Sequence, residues 1–347
     1  MVNAEQLFVV PDLQGRPSGG TLYNRHLLAA LAKLGVALRV SEFERAEALL
    51  RQSHFSRVWL DSLYIDQASA LRAALTRPTQ LGLVLHYLPS LVTRGDHVTR
   101  RELSPTEQAA LEIADFFLVP SQFMTRVLER LGFGERPILC VEPGCELTPD
   151  APLPGALEGV QAALVAHVVP GKGLETLLRS LAGVLRSSDR FTLRVLGDTR
   201  ADPPYAARCQ ALVAAAPELT RRVSFSGLLS QEAVHAELMR RNLLLSASSM
   251  ESYGMALDEG RRIGLPLLAC AAGNVSSLVD VAAGGELVEG TEALAEACVR
   301  LCRDAREHQR RLSAARASIP SPRSWHQAAL QFAATIQGWE ARPDDFA

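Results

Sequence analysis

The 347-residue sequence has no Cys-x2-Cys pair of the kind that builds a zinc site. Its six cysteines, Cys140, Cys145, Cys209, Cys270, Cys298 and Cys302, are scattered, and most read as small buried hydrophobes in a reducing cytoplasm. No apolar run approaches the roughly 20 residues of a membrane span. Leu7 to Val10 is too short for a signal peptide and is closed by Pro11, so the expected location is cytoplasmic. Charge of one sign is lacking as well: a net charge of -2 gives no general reason to expect nucleic acid or an anionic membrane surface as partner. No Asp-x-Asp stands at a plausible metal position, and the Asp344-Asp345 pair falls in a polar tail. What is present is 48% hydrophobic and 21% charged residues, the composition of a globular chain long enough for about two domains with substantial cores.

Short apolar runs alternate with amphipathic segments, a pattern that predicts α/β architecture with parallel sheets covered by helices on both faces. Expected strands in the first half are Leu7 to Val10, Val58 to Asp61, Leu81 to Leu85, Phe116 to Val119 and Ile138 to Val141. In the second half they are Ala163 to Val168, Leu193 to Leu196, Val223 to Phe225, Leu243 to Leu245, Leu267 to Cys270 and Leu287 to Val288. Between Glu146 and Gly159, Pro149, Pro152 and Pro154 interrupt the pattern and suit an interdomain linker. The expectation is two doubly wound, Rossmann-like domains, residues 1–148 and 149–320. Ligands bind at the carboxyl ends of the strands in such sheets, which here would face each other across a cleft. Leu174, Leu177, Leu178, Leu181, Val184 and Leu185 recur at helical spacing over Gly173 to Arg186. Ser104-Pro-Thr-Glu107 has the pattern of a capping box and starts a helix to about Ala114, Ser121 suits another cap, and Ser324 to Trp339 is a further expected helix.

The segment from Ser246 to Pro266 holds the most chemistry. Leu243 to Leu245 fits a buried strand, Ser246 to Gly254 a loop and Met255 to Ile263 a helix, so Glu251 precedes the helix and Glu259 lies inside it. Backbone N–H groups at a helix start carry partial positive charge and lack partners, so Gly254 and Met255 can approach a diphosphate or a polar sugar. Glu251 can accept from sugar hydroxyls, and Glu259 can reach the paired hydroxyls of a ribose. The alternative is a helix with solvated acids.

This stretch resembles the Glu-x7-Glu motif of the retaining glycosyltransferases of family four (glycosyl transferases group 1), which have the two-domain GT-B fold. Their usual Glu-Gly-Phe-Gly, followed by a helix, a Gly-x-Pro turn and an apolar strand, is matched by Glu251-Ser-Tyr-Gly254, Gly264-Leu-Pro266 and Leu267 to Cys270. Ser252 and Tyr253 depart from the commonest pair but keep the aromatic. The resemblance implies that Ser252, Tyr253, Gly254, Met255 and Glu259 bind the donor and that Glu251 serves catalysis. It also implies an acceptor-binding N-terminal domain, a donor-binding C-terminal domain, and a helix over 321–347 that starts at Ser324-Trp325 and returns to the N-terminal domain.

A second segment, Val165 to Gly173, follows a strand and precedes the amphipathic helix. Lys172 offers an ammonium that can neutralise charge on a departing nucleoside diphosphate, beside glycines that permit close backbone approach. A solvated surface lysine is the alternative. The family form is Gly-Arg-Leu-x-x-x-Lys-Gly, whose Arg and Lys face the donor diphosphate; this chain keeps Lys172 and has the donor-binding candidate His167 where the arginine is expected. Since neutral imidazole donates only one hydrogen bond, either His167 is protonated near the phosphates or the leaving group is held less firmly from this side. Gly19 and Gly20 separate the first strand from a helix reaching about Leu34, and backbone there can approach a phosphate or simply form a tight loop. In the family this turn faces the donor diphosphate, with Asn24 and Arg25 on the next turns of helix. His86 follows the third apolar run, where family members often carry a histidine near the transferred sugar; a satisfied structural histidine is the alternative. Arg94, Arg100 and Arg101, mixed with Asp96 and Glu102, suit a solvated loop or an anionic acceptor.

The function these residues imply is retaining, metal-independent transfer of a sugar from a nucleotide diphosphate sugar to an unidentified acceptor, with Lys172, Glu251 and His86 as catalytic residues and no cofactor. Three alternatives share the fold: a GT-B sugar epimerase, a phosphorylase, or a catalytically weak nucleotide-binding relative.

Overall fold

Runs such as Leu243–Ser246 and Phe116–Val119 are buried at every position, which fits only a strand covered on both faces. In a computed structural model, which describes residues 5–340 apart from 77, 146 and 148–157, twelve strands form two parallel sheets. Pro149, Pro152 and Pro154, and Asp344 and Asp345, lie outside the described residues. The chain divides into two compact units, Met1–Glu146 with Arg323–Ala347, and Leu147–Pro322.

The first unit holds β1 (Gln6–Val9), β2 (Leu38–Ser41), β3 (Arg57–Asp61), β4 (Gln80–Val84), β5 (Phe116–Val119) and β6 (Ile138–Cys140), in the order β2-β1-β3-β4-β5-β6. β2 is the one strand of this sheet that the apolar pattern does not announce. It pairs only with β1, and Arg39 and Val40 are exposed, so an edge strand needs no continuous apolar run. The C-terminal helix, Trp325–Glu340, belongs to this unit. Its Phe332 is fully buried against Trp59 (ring centroids 5.2 Å) and Phe8 (6.0 Å), and its Trp339 ring lies 5.6 Å from that of Phe116. Trp325 packs edge-on against Tyr23 at 5.6 Å and stacks on His26 at 5.2 Å. Aromatic pairs at these separations add to what area burial alone contributes.

The second unit holds β7 (Val160–Val165), β8 (Phe191–Leu196), β9 (Val223–Phe225), β10 (Leu243–Ser246), β11 (Leu267–Cys270) and β12 (Glu286–Val288), in the order β12-β11-β10-β7-β8-β9. Alternate residues divide between two cores. Ala162, Leu164, Leu243, Leu245 and Leu268 face one with the helices Leu174–Val184, Pro203–Ala215 and Gly290–Arg303; Ala163, Leu244, Leu267 and Ala269 face the other with Leu257 and Ile263. β7 begins three residues earlier than the sequence pattern suggests and ends at Val165, so Ala166 to Val168 leave the sheet and become loop.

One buried titratable group in this unit makes its stability depend on pH. His308, on the helix Ala305–Ala317, is buried with Nε2 3.1 Å from the carbonyl oxygen of Asn242. Burial chiefly, and the Arg311 charge after it, push the imidazole below its ordinary value of 6.5, against the opposing pull of the Asn242 carbonyl. The stabilisation is complete above that ordinary value and is lost as pH falls from it through the depressed folded value, because there the unfolded chain takes up the proton first. The melting temperature of the second unit, followed by calorimetry, is therefore expected to fall between pH 7 and 5. The fall should be smaller in His308→Gln; an equal fall in both proteins would refute this assignment.

Candidate functional site

In each sheet the strand order reverses at one point, between β1 and β3 in the first unit and between β7 and β10 in the second. The loops leaving the carboxyl ends of the two strands at such a point diverge to opposite faces and open a crevice where ligands bind in doubly wound sheets.

In the second unit, the loop after β7 and the loop after β10 lie against each other. Lys172 closes a short turn at Pro170–Lys172, and Gly173 follows with φ +65° as the residue before the helix Leu174–Val184. A Cβ on Gly173 would stand 2.1 Å from the carbonyl oxygen of Ala247, so only glycine allows the two loops this approach. Ser249 fastens them again: its N–H donates to the Gly171 carbonyl at 3.0 Å and its hydroxyl to the same oxygen at 3.1 Å. The result is a direct ion pair, Lys172 Nζ to Glu251 Oε1 at 2.6 Å, with both side chains partly screened from solvent. Glu251 is held from behind, where its carbonyl accepts from the Asn274 N–H at 2.7 Å and the Asn274 amide reaches the Tyr253 carbonyl at 2.8 Å. Asn274 was not expected from the sequence; Gly273-Asn274 carries a turn signal only.

The remaining donor-site candidates of this unit separate. Gly254 has φ +93° and caps the helix Met255–Arg262, whose first N–H groups have no intrahelical acceptor; Ser252 and Met255 are half-buried beside it. The Tyr253 ring turns inward instead: it is buried, and its hydroxyl donates to Asp258 Oδ2 at 3.2 Å, a carboxylate that Arg261 and Arg262 also bind at 2.6 and 3.0 Å. Glu259 stands one helical turn further on with its carboxylate 3.4 Å from the Gln231 amide nitrogen and 3.7 Å from His235 Nε2, two neighbours that sequence spacing did not indicate. His167 lies in the loop after β7, where its Nδ1 accepts from the Asp198 N–H at 3.3 Å. With Nδ1 an acceptor, the neutral ring carries its proton on Nε2 and offers one donor where a guanidinium would offer five.

In the first unit, the expected glycine turn is displaced. Gly19 and Gly20 are the first two residues of the helix Gly19–Lys33, not a turn ahead of it, because Ser18 is the cap: its hydroxyl accepts from the Thr21 N–H at 3.1 Å and Thr21 answers in a reciprocal capping box. Gly20 is required for close packing. A Cβ there would meet the His86 ring at 2.9 Å. His86 is buried, with Nε2 3.0 Å from Asn24 Oδ1 and 3.2 Å from Asp61 Oδ2, and the Asn24 amide donates to the same Asp61 oxygen. Tyr23 packs edge-on to the imidazole at 5.2 Å and donates its hydroxyl to the Val141 carbonyl at 2.8 Å. Asp61 is fully buried; burial alone would raise its carboxyl, and the His86 ring, the Leu63 N–H and the Asn24 amide overcome that and hold it below its ordinary value. Asp61 is the residue of this cluster that sequence reasoning passed over. Its signal was a carboxylate closing the apolar run Val58-Trp59-Leu60, a charge that burial demands be paired. Arg25 does not turn to this cluster; its guanidinium holds the Leu13 carbonyl at 2.8 Å. The expected mixed-charge loop is partly helical: Arg94 ends the helix Pro89–Arg94, and Arg100–Glu102 form a single turn in which Arg100 pairs with Glu112 at 2.9 Å and lies over the Phe133 ring while Glu102 binds Thr99.

A cluster of lysine, paired carboxylates and helix-start amides at a switch point is suited to a ligand that combines phosphate with hydroxyls. Residues 157–318 match the model of the glycosyl transferases group 1 family. By sequence, no curated protein matches the chain. By structure, the chain is similar over 97% of its length, and 99% of the other's, to sucrose-phosphate synthase of Thermosynechococcus elongatus, with 19% identity and a TM-score of 0.76. It is similar over 96% of its length, and 100% of the other's, to the Anabaena protein HepE in complex with UDP and glucose, with 16% identity and a TM-score of 0.72. A glycosyltransferase of Rickettsia africae is similar at 17% identity over 97% of this chain and 99% of that one, with a TM-score of 0.67. At these identities the likeness is one of fold, and the fold is GT-B. The group 1 match spans β7 to β12 and so contains Lys172, Glu251 and Glu259. Among the described residues, no group of three or more His, Cys, Asp or Glu is arranged to hold a metal ion, and no helix is long and apolar enough to cross a membrane.

Proposed function

We propose that the protein is a retaining, metal-independent glycosyltransferase of family four that takes its sugar from a nucleotide diphosphate sugar. The observation that carries this reading is the ion pair of Lys172 with Glu251 at the strand-order reversal of the second unit, beside the helix start at Gly254 and Met255. Lys172 and the helix-start amides stabilise the departing diphosphate without a metal, since fixed positive charge and oriented N–H donors act where negative charge develops. Glu251 accepts from hydroxyls of the transferred sugar, and Glu259 from the ribose. Gly19 and Gly20 give backbone access at the first helix, and His86, oriented by Asp61 and Asn24, serves the transferred sugar. In the step itself the anomeric carbon–phosphate oxygen bond breaks as the acceptor oxygen bonds to the same face of that carbon. The acceptor proton passes to the leaving phosphate oxygen. The nucleotide complexes named for HepE, with UDP and with UDP-glucose, favour a uridine nucleotide as the first donor to try.

A thermal-shift panel of UDP, GDP, ADP and their sugars tests the donor. One of these ligands at a hundredfold excess over its Kd is expected to stabilise the folded protein by about 2.7 kcal/mol, with transfer or slow donor hydrolysis unaffected by a chelator. No shift with any of them sinks the reading. The one-donor His167 imidazole supports a second reading, a nucleotide-binding relative with little turnover. Undetectable transfer by a protein that binds nucleotide, together with turnover restored in His167→Arg, would favour it.

A further inference from the structure

We infer that Glu251 selects the intact donor over the spent nucleoside diphosphate, by setting a fixed negative charge beside the lysine that both must use. This rests on the nucleotide-sugar reading above. The pair is built in place. Lys172 Nζ is 2.6 Å from Glu251 Oε1, and among the described residues neither has another charged partner. The loops bearing them cannot part cheaply, because Gly173 lies against Ala247 and Ser249 holds Gly171, while Asn274 fixes the Glu251 backbone from the other side. The backbone positions that bear the carboxylate and the ammonium are therefore fixed beside each other.

The two nucleotides differ in what they present to that carboxylate. In the nucleotide sugar, the distal phosphate is esterified and the sugar hydroxyls are neutral donors, which a carboxylate binds well. In the free nucleoside diphosphate, the oxygen released by the sugar ends a phosphate whose second ionisation, like that of other phosphate monoesters, lies near pH 6, so above that pH it carries an added negative charge. With the sugar gone, Glu251 faces this charge directly. The same side chain thus attracts the substrate and repels the product, an attractive and a repulsive element in one residue. The consequence for the reaction is faster release of nucleoside diphosphate and weaker inhibition by it.

Titration calorimetry of UDP, GDP and ADP against the wild type and Glu251→Gln, at pH 8 and low salt, tests this. The variant is expected to bind its nucleoside diphosphate at least about fivefold more tightly than the wild type, although its turnover is lower. The difference should shrink at pH 5.5, where the terminal phosphate loses its second charge. Glu251→Ala is expected to give the same sign, and Lys172→Met the opposite one. Equal or weaker binding by Glu251→Gln, in a protein whose wild type binds nucleotide, overturns the inference and leaves the donor reading intact. No binding of any of the three nucleotides by either protein overturns both.

Discussion

Replacing Lys172 with alanine is expected to lower turnover of the nucleotide sugar by roughly 10²–10³-fold, the usual cost of removing one fixed donor from a site where negative charge develops. Glu251→Ala should cost a similar factor by a different route, since it removes an acceptor for the sugar hydroxyls and leaves Lys172 unneutralised in the free protein. Because the two side chains touch, their effects should not multiply, and the double variant is expected to lose much less than the product of the single losses. Both residues are partly exposed and neither packs a core, so melting temperatures should stay near that of the wild type. Near-normal transfer by either single variant would remove Lys172 or Glu251 from the chemistry. Multiplying losses would mean that the 2.6 Å contact has no part in it.

Phe332→Ala is the largest stability change to expect. The ring is fully buried between Trp59 and Phe8, and truncating an enclosed phenylalanine costs about 3–5 kcal/mol through lost transfer energy and the cavity left behind. The three tryptophans of the sequence, Trp59, Trp325 and Trp339, all belong to the first unit. Their fluorescence during denaturation therefore reports on that unit, and its midpoint should drop while a calorimetric transition of the second unit stays in place. An unchanged fluorescence midpoint would contradict the packing described for the C-terminal helix.

What the sequence reveals and what it hides follow from the same physics. Strands sheathed on both faces, such as Leu243–Ser246 and Leu267–Cys270, are written as unbroken apolar runs. β2 is not, because an edge strand with Arg39 and Val40 in solvent needs no such run. Adjacent glycines after β1 suggest a turn, whereas the reciprocal Ser18–Thr21 cap makes Gly19 and Gly20 the first residues of the helix. Glu251 and Glu259 lie in one loop-and-helix segment and can be read together, but Lys172 and Glu251 come from loops that only the order of strands brings together. Asp61 ends β3, His86 follows β4 and Asn24 lies within the helix Gly19–Lys33, and no spacing rule links them. Tyr253 lies in the Glu251–Gly254 segment, where the sequence does not show that its ring is buried and hydrogen-bonded to Asp258.

The C-terminal helix also bears on the order in which the protein matures on the ribosome. The second unit is one continuous stretch, so it can complete its core as soon as it has emerged. The first unit is begun earlier but lacks Phe332 and Trp339 until the far side of the second has been translated. The usual sequence, in which the N-terminal domain folds first, is thus inverted. Until Trp325–Glu340 arrives, the nascent first unit exposes Phe8, Trp59 and Phe116, an apolar surface that a chaperone would be expected to cover.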